Sequence, residues 1–368
     1  MPPPGQWPPP PPGPGQQPPS WGSQPSWGPP PQRGGNRGTW ILGGIALVVV
    51  IGLTVVATLL VTKDGSGSGG PTASAPPPAA STSVDPSQFA SADDDGPIEI
   101  ITDEPTCAAW TPIGDTLAQT AAQGWNDRDP SIPASEWTPA QRALYEDVAD
   151  AMRSAADQTT TLVKLTPHRV IRELYEQSIA YWRAFADKVG SYVPADDHFA
   201  NVAAGTSNAV MWICSAIKYG SASSRAPLVV PATPPREVSP LQGLDVPSRF
   251  LRAPSDICAE WSAQFDAFDV ATAEWLQTDA GLPSSEWSPE QQQIYVEMST
   301  VMQDNADIIQ GLGIRSANAV LYDFATLAAQ YRRAFVQSFP SYFPADAYLA
   351  NTAAELVAAI HQACLAVT

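Results

Sequence analysis

Hydrophobic and polar positions fall into three regimes along the chain: an aperiodic start, one unbroken apolar run, and a long outer part with helical spacing. Residues 41–62, with Ile41 first and Thr62 last, are 22 positions without a charged side chain. At about 1.5 Å per residue such a run crosses a hydrocarbon core of roughly 30 Å, which predicts a transmembrane helix at 40–62. Downstream the period changes to 3.6. Ile171, Leu174, Ser178, Tyr181 and Phe185 share one helical stripe, and Leu321, Phe324, Ala328, Tyr331 and Phe335 repeat it 150 positions later.

The repeated stripe belongs to a duplication. Residues 125–217 set against 275–367 agree, without a gap, at 30 of 93 positions. Shared strings include Ser135-Glu136-Trp137-Thr138-Pro139 with Ser285-Glu286-Trp287-Ser288-Pro289, and Ser191-Tyr192-Val193-Pro194-Ala195-Asp196 with Ser341-Tyr342-Phe343-Pro344-Ala345-Asp346. Self-similarity at a fixed offset means two structural units. Helices are expected near 107–125, 138–165, 167–188 and 196–218 of the first copy. Thr138 and Ser288, each followed by Pro and then by Gln at the third helical position, carry a capping-box signature. Asp196 and Asp346 are the expected N-caps of the fourth helix in each copy. Short connections favour antiparallel packing. The expected fold class is all-α: one transmembrane helix plus two tandem four-helix-bundle-like repeats, at 97–221 and 255–368, joined by a proline-rich linker at 222–254.

The cysteines sharpen the picture. There are four, Cys107, Cys214, Cys258 and Cys364, with no CxxC or Cys/His spacing suited to a metal. One pair per copy predicts Cys107 with Cys214 and Cys258 with Cys364. In an up-down-up-down bundle the start of the first helix and the end of the fourth lie at the same end, so each repeat is closed by its own disulfide. Stable disulfides require an oxidising compartment.

Composition and charge then set the topology. Residues 1–39 form a proline-rich arm, with 15 prolines in the first 31 positions and Trp7, Trp21 and Trp27 interleaved. Such a segment buries too little to fold and favours polyproline II, a form that aromatic grooves recognise, so it has the character of a disordered cytoplasmic arm with room for a cytoplasmic partner. Residues 63–96, rich in Gly, Ser, Thr, Ala and Pro, are expected to be a flexible stalk. Arg33 and Arg37 are the only charges before residue 63, whereas the remainder carries 17 basic and 37 acidic residues, net −20. The positive-inside rule puts the amino terminus in the cytoplasm and makes the apolar run an uncleaved signal anchor. A strongly acidic outer part repels phosphate backbones, which argues against nucleic acid as a partner.

Topology places the copies' shared polar and aromatic residues at the bundle end opposite the disulfide. Trp125, Glu136, Trp137, Tyr192 and Asp196 are expected to gather there with Arg183 about a turn inside, and copy two gathers Trp275, Glu286, Trp287, Tyr342, Asp346 and Arg333. Two readings follow: the aromatics plug the bundle end while Asp caps a helix, or the cluster grips a glycan, a peptide or a partner's helix. Glu136 and Asp196 are the candidate carboxyl pair for glycan hydrolysis, which needs the two groups roughly 5–10 Å apart. The three histidines, His168, His198 and His361, do not align with one another between the copies. No catalytic, metal or cofactor motif stands out.

The proline-, tryptophan- and glycine-rich tail, the single span at 41–62, the Ser/Thr/Pro/Ala stalk and the acidic outer domain with paired cysteines resemble the proline-rich single-pass membrane proteins of mycobacteria and related actinobacteria. The resemblance implies a place in the cell envelope. The expectation is a single-pass protein of the cytoplasmic membrane, its carboxy-terminal part extracytoplasmic. It would serve as a non-catalytic binding or scaffold protein for an envelope protein or glycan. A cell-wall glycan-acting enzyme and a purely structural spacer are the alternatives.

Overall fold

The structure is a computed structural model that describes residues 85–368 apart from 245 and 246. The arm, the apolar run at 41–62 and the stalk up to residue 84 lie outside the described residues. Among the described residues there is no strand, and no helix is long and apolar enough to cross a membrane.

Copy one comprises α1 (Cys107–Ala121), α2 (Pro139–Leu165), α3 (Arg169–Lys188) and α4 (Asp197–Lys218). A short α5 (Ser221–Arg225) follows, and copy two repeats the plan as α6 (Cys258–Thr272), α7 (Pro289–Arg315), α8 (Ala319–Ser338) and α9 (Ala347–Leu365). The disulfides pair as expected: the Cα atoms are 5.5 Å apart for Cys107–Cys214 and 5.3 Å for Cys258–Cys364.

Local chemistry explains most boundaries. Thr138 Oγ1 accepts from Gln141 N at 3.2 Å and Gln141 Oε1 accepts from Thr138 N at 2.9 Å, a complete capping box. Copy two keeps half of it: Ser288 Oγ accepts from Gln291 N, but the Gln291 amide donates to Asp279 O. The first helix stops at Ala121, short of the expected residue 125, because the chain turns at Gly124 with φ +110° and restarts as a 3-10 turn at Trp125–Asp127. Asp196 and Asp346 do not cap the fourth helix. Each carboxylate folds back over its own 3-10 turn and accepts from Val193 N or Phe343 N at 3.0 Å.

Both expected stripes are fully buried, from Ile171 to Phe185 and from Leu321 to Phe335. The amphipathic picture nevertheless fails for α3, whose Arg169, Arg172, Glu173, Glu176 and Gln177 are buried as well. Segments assigned to stalk and linker cover that face. Phe89, Ile98, Ile100 and Ile101 enter the core, and Ala90 N donates to Lys164 O at 2.9 Å, so the folded part includes residues 85–96. The stretch 222–254 also packs: Gln177 exchanges hydrogen bonds with Ser248 O (3.1 Å) and Phe250 N (2.8 Å), and Asn318 donates to Phe250 O at 2.6 Å. Phe250 sits between Tyr181 of one copy and Phe324 of the other, ring centroids 6.0 and 5.6 Å away.

The copies meet chiefly through α4 and α9. His198 Nδ1 lies 2.8 Å from Gln362 Oε1, and Trp212 stacks on Tyr348 with centroids 5.7 Å apart. Positions 198 and 348, and 212 and 362, are equivalent at offset 150, so the two contacts are one contact with its partners exchanged. That exchange is what a local two-fold relation between the copies requires.

Candidate functional site

The shared motifs do converge at one end of each bundle, as buried plugs. In copy one Trp137 lies 4.0 Å from Tyr145 and 5.3 Å from Tyr192, while Trp125 meets Tyr145 at 5.0 Å and Phe185 at 5.6 Å (ring centroids). Copy two repeats this: Trp287 to Tyr295 at 3.9 Å and to Tyr342 at 5.3 Å, with Trp275 to Phe335 at 5.7 Å. The polar ends of the rings are tied to backbone. Trp137 and Trp287 indoles donate to Ile132 O and Leu282 O, both at 2.9 Å, and Tyr192 and Tyr342 hydroxyls donate to Pro130 O (2.7 Å) and Ala280 O (2.8 Å). The backbone reciprocates, Ala134 N to Tyr192 O and Ser284 N to Tyr342 O, each 2.9 Å. Buried aromatics with satisfied polar tips fix the loop that enters α2 and α7.

The remaining expected residues scatter. Glu136 and Glu286 are exposed on their turns. Arg183 faces α2, donating to Asp157 at 2.8 Å and to Leu244 O at 3.3 Å; Arg333 donates to Asp307 at 2.6 Å and Gln310 at 2.8 Å. Neither arginine joins the aromatic cluster. Asp346 is held by Arg225, whereas Asp196 has only the Lys188 ammonium at 4.0 Å.

Sequence reasoning missed several members. Tyr145 and Tyr295 sit at the centre of each plug and are identical at offset 150, so the internal alignment contained the signal. Arg128 had none, being Thr278 in copy two; its guanidinium covers the Trp125 ring at 3.5 Å and pairs with Asp197.

A second cluster lies where α3 approaches α8. Arg169 Nε donates to Asp323 at 2.7 Å, its backbone N donates to Asp94 at 2.6 Å, and its Nη2 donates to Gly96 O at 3.2 Å. Asp323 and Glu173 are equivalent at offset 150. Burial, reinforced by the Asp323 charge, pushes Glu173 well above the usual carboxylate range, with Arg172 pulling the other way. Burial alone lifts Glu176 to about 7 against Arg172, whose Nε is 3.7 Å away. Arg169 moderates the same upward push on Asp323. Among the described residues no group of His, Cys, Asp or Glu is arranged to hold a metal ion.

These features define an all-helical, disulfide-closed tandem repeat whose two copies are welded by linker and interface. The chain belongs to the mycobacterial ESX-1 associated protein family, whose model matches residues 89–368. A relative from Mycolicibacterium smegmatis (strain MKD8), named only as an uncharacterized protein, is 46% identical over 343 residues, 91% of this chain and 87% of the relative. No solved structure matches the chain.

Proposed function

We propose that this protein is a membrane-anchored, non-catalytic accessory factor of the ESX-1 secretion system, standing outside the cytoplasmic membrane and working by binding. The carrying observation is the family match, which spans nearly all of the folded part. The anchor reading rests on the charge-free run at 41–62 and its arginine-bearing amino-terminal flank. Two disulfides favour an oxidising compartment. Two bundles joined into one body suit a scaffold that must present a surface in a fixed orientation. The aromatic ends serve that body as structural plugs, so the partner surface is sought on the exposed helices.

The test is crosslinking in living mycobacteria with the full chain and with a form lacking residues 1–39, followed by mass spectrometry. An ESX-1 component captured by both forms is the expected result. Failure of both to capture one, together with unchanged export of ESX-1 substrates after gene deletion, would overturn the proposal. Protease added to spheroplasts is expected to remove residues 97–368; their protection would overturn the topology.

A further inference from the structure

A groove opens at the plugged end of copy two, between the start of α7 and the end of α8. Its volume is about 560 Å³, and Trp287, Tyr295, Val296, Val336, Phe339 and Pro340 supply its apolar walls. That size and lining are typical of a ligand or peptide site. Val296 on the rim is 64% exposed, an unusual position for a valine with nothing covering it.

Copy one shows that the fold does not demand this groove. At offset 150 the same positions are Trp137, Tyr145, Glu146, Ala186, Val189 and Gly190: the aromatic floor is kept, and the walls are replaced by a charge and by smaller side chains. Arg142, the counterpart of Gln292, lies over Trp137 with its guanidinium 5.6 Å from the ring centroid and donates to Ala134 O at 2.8 Å. The same bundle end thus closes stably with Glu146 where copy two has Val296.

Charge specifies the occupant. Residues 253–314 contain eleven acidic side chains and no Lys or Arg. Glu286 and Glu297 adjoin the groove residues Ser285 and Val296, and both are exposed. The one nearby arginine on α8, Arg333, is already engaged by Asp307. An apolar trough in an acidic rim complements a segment with an apolar face and cationic flanks.

We propose that this groove docks a basic amphipathic segment of a partner protein. The inference deepens the binding function proposed above and rests on it. The apolar face enters against Trp287, Tyr295 and Phe339, and Lys or Arg side chains meet Glu286 and Glu297.

The assay is fluorescence anisotropy of a labelled amphipathic Leu/Lys helical peptide on the purified full-length protein in detergent. A peptide with every Lys changed to Glu is the control. Binding of the Lys peptide alone is expected, with Val296→Glu weakening it at least ~10-fold. Glu297→Lys is expected to weaken it as well. Val296→Glu adds negative charge, so non-specific attraction of a cation would strengthen; weakening therefore isolates the groove. No binding of the Lys peptide, equal binding of both peptides, or unchanged binding to Val296→Glu and Glu297→Lys would overturn the proposal. Because the assay uses purified protein, its failure removes the groove without touching the ESX-1 assignment, which the crosslinking experiment tests separately.

Discussion

Arg225, the last residue of α5, lays its guanidinium on Asp346 of the second copy, with Nε and Nη2 at 3.0 and 2.8 Å from the two carboxylate oxygens. The same side chain also holds Ser341, donating to its Oγ and its backbone O at 2.7 Å each. A residue from the linker thereby pins the turn that orients α9. Removing one partner of a buried pair leaves the other charged and unsatisfied, so Arg225→Ala is expected to cost about 3–5 kcal/mol. Arg225→Lys cannot reproduce the two-pronged geometry and is expected to recover little. Urea unfolding of both variants and of Arg225→Ala/Asp346→Ala checks this. The double variant should be more stable than Arg225→Ala alone, and equal losses in the two would refute the coupling.

The plugs make a sharper prediction than a binding face would. Trp137→Ala and Trp287→Ala each empty the centre of a five-ring cluster and are expected to destabilise by about 3–5 kcal/mol. Thermal unfolding followed by near-UV circular dichroism reads the loss. Unchanged unfolding with loss of partner capture would instead return these tryptophans to a binding role.

Much of this architecture was legible because the duplication is written in residues that do the same structural job twice. Trp137 with Trp287 and Tyr192 with Tyr342 recur because each copy staples its entry loop in the same way, and the cysteines recur because each closes its own bundle. Where the copies do different work, the signal vanishes. Positions 171–180 and 321–330 share no identity at all, and this is where α3 meets the amino-terminal strap and linker. A polar face such as Arg169, Arg172, Glu173 and Glu176 reads as solvated in any periodicity argument. Its burial depends on residues 85–101 and 239–251 coming back over it, a long-range event that local pattern does not encode. Glu136 and Arg183 were drawn into one cluster by topology alone. Their side chains point elsewhere because Arg183 has a closer carboxylate on α2.

The contact between copies turns on a small residue. A Cβ at Gly205 of α4 would stand 2.9 Å from the Ala359 Cβ and 3.0 Å from Glu355 O on α9. Gly205→Ala gains about 1 kcal/mol in helix propensity but forces two packed helices apart at roughly 1–3 kcal/mol, for an expected net loss on the order of 1 kcal/mol. Gly311, exposed on α7 with open space around its Cβ position, is the control, and Gly311→Ala is expected to stabilise. Opposite signs in denaturant midpoints support close packing at α4 and α9. A stabilising Gly205→Ala would contradict it.

Each disulfide closes a long loop, with cysteines 107 and 106 positions apart, for which chain entropy gives about 4–5 kcal/mol per bond. Cys107→Ala/Cys214→Ala should therefore lower the urea midpoint markedly. The weld between copies predicts that copy two loses cooperativity with copy one in the same transition rather than unfolding later by itself. A single transition seen by both Trp fluorescence and circular dichroism is the expected result, and two separated transitions would show the copies to be independent.

The buried carboxyls give stability an unusual pH dependence. Glu176 keeps its proton up to about 7 in the folded protein, against 4.5 for an unperturbed glutamate, and Glu173 is shifted in the same direction. Between those values the native state holds a proton that the unfolded chain has released, so stability falls as pH rises. The contribution is fully present below about 4.5 and is lost as pH climbs through about 7. At ~1.4 kcal/mol per pKa unit this amounts to roughly 3 kcal/mol from Glu176. Facing groups set the limits: Arg172 favours the ionised form, while Asp323 opposes ionisation of Glu173. Urea midpoints of the wild type are expected to be higher at pH 5 than at pH 8. Glu176→Gln, which is neutral at every pH, should flatten that slope and be the more stable protein at pH 8. A wild-type slope of the opposite sign that Glu176→Gln leaves unchanged would place Glu176 in solvent and the strap over α3 elsewhere.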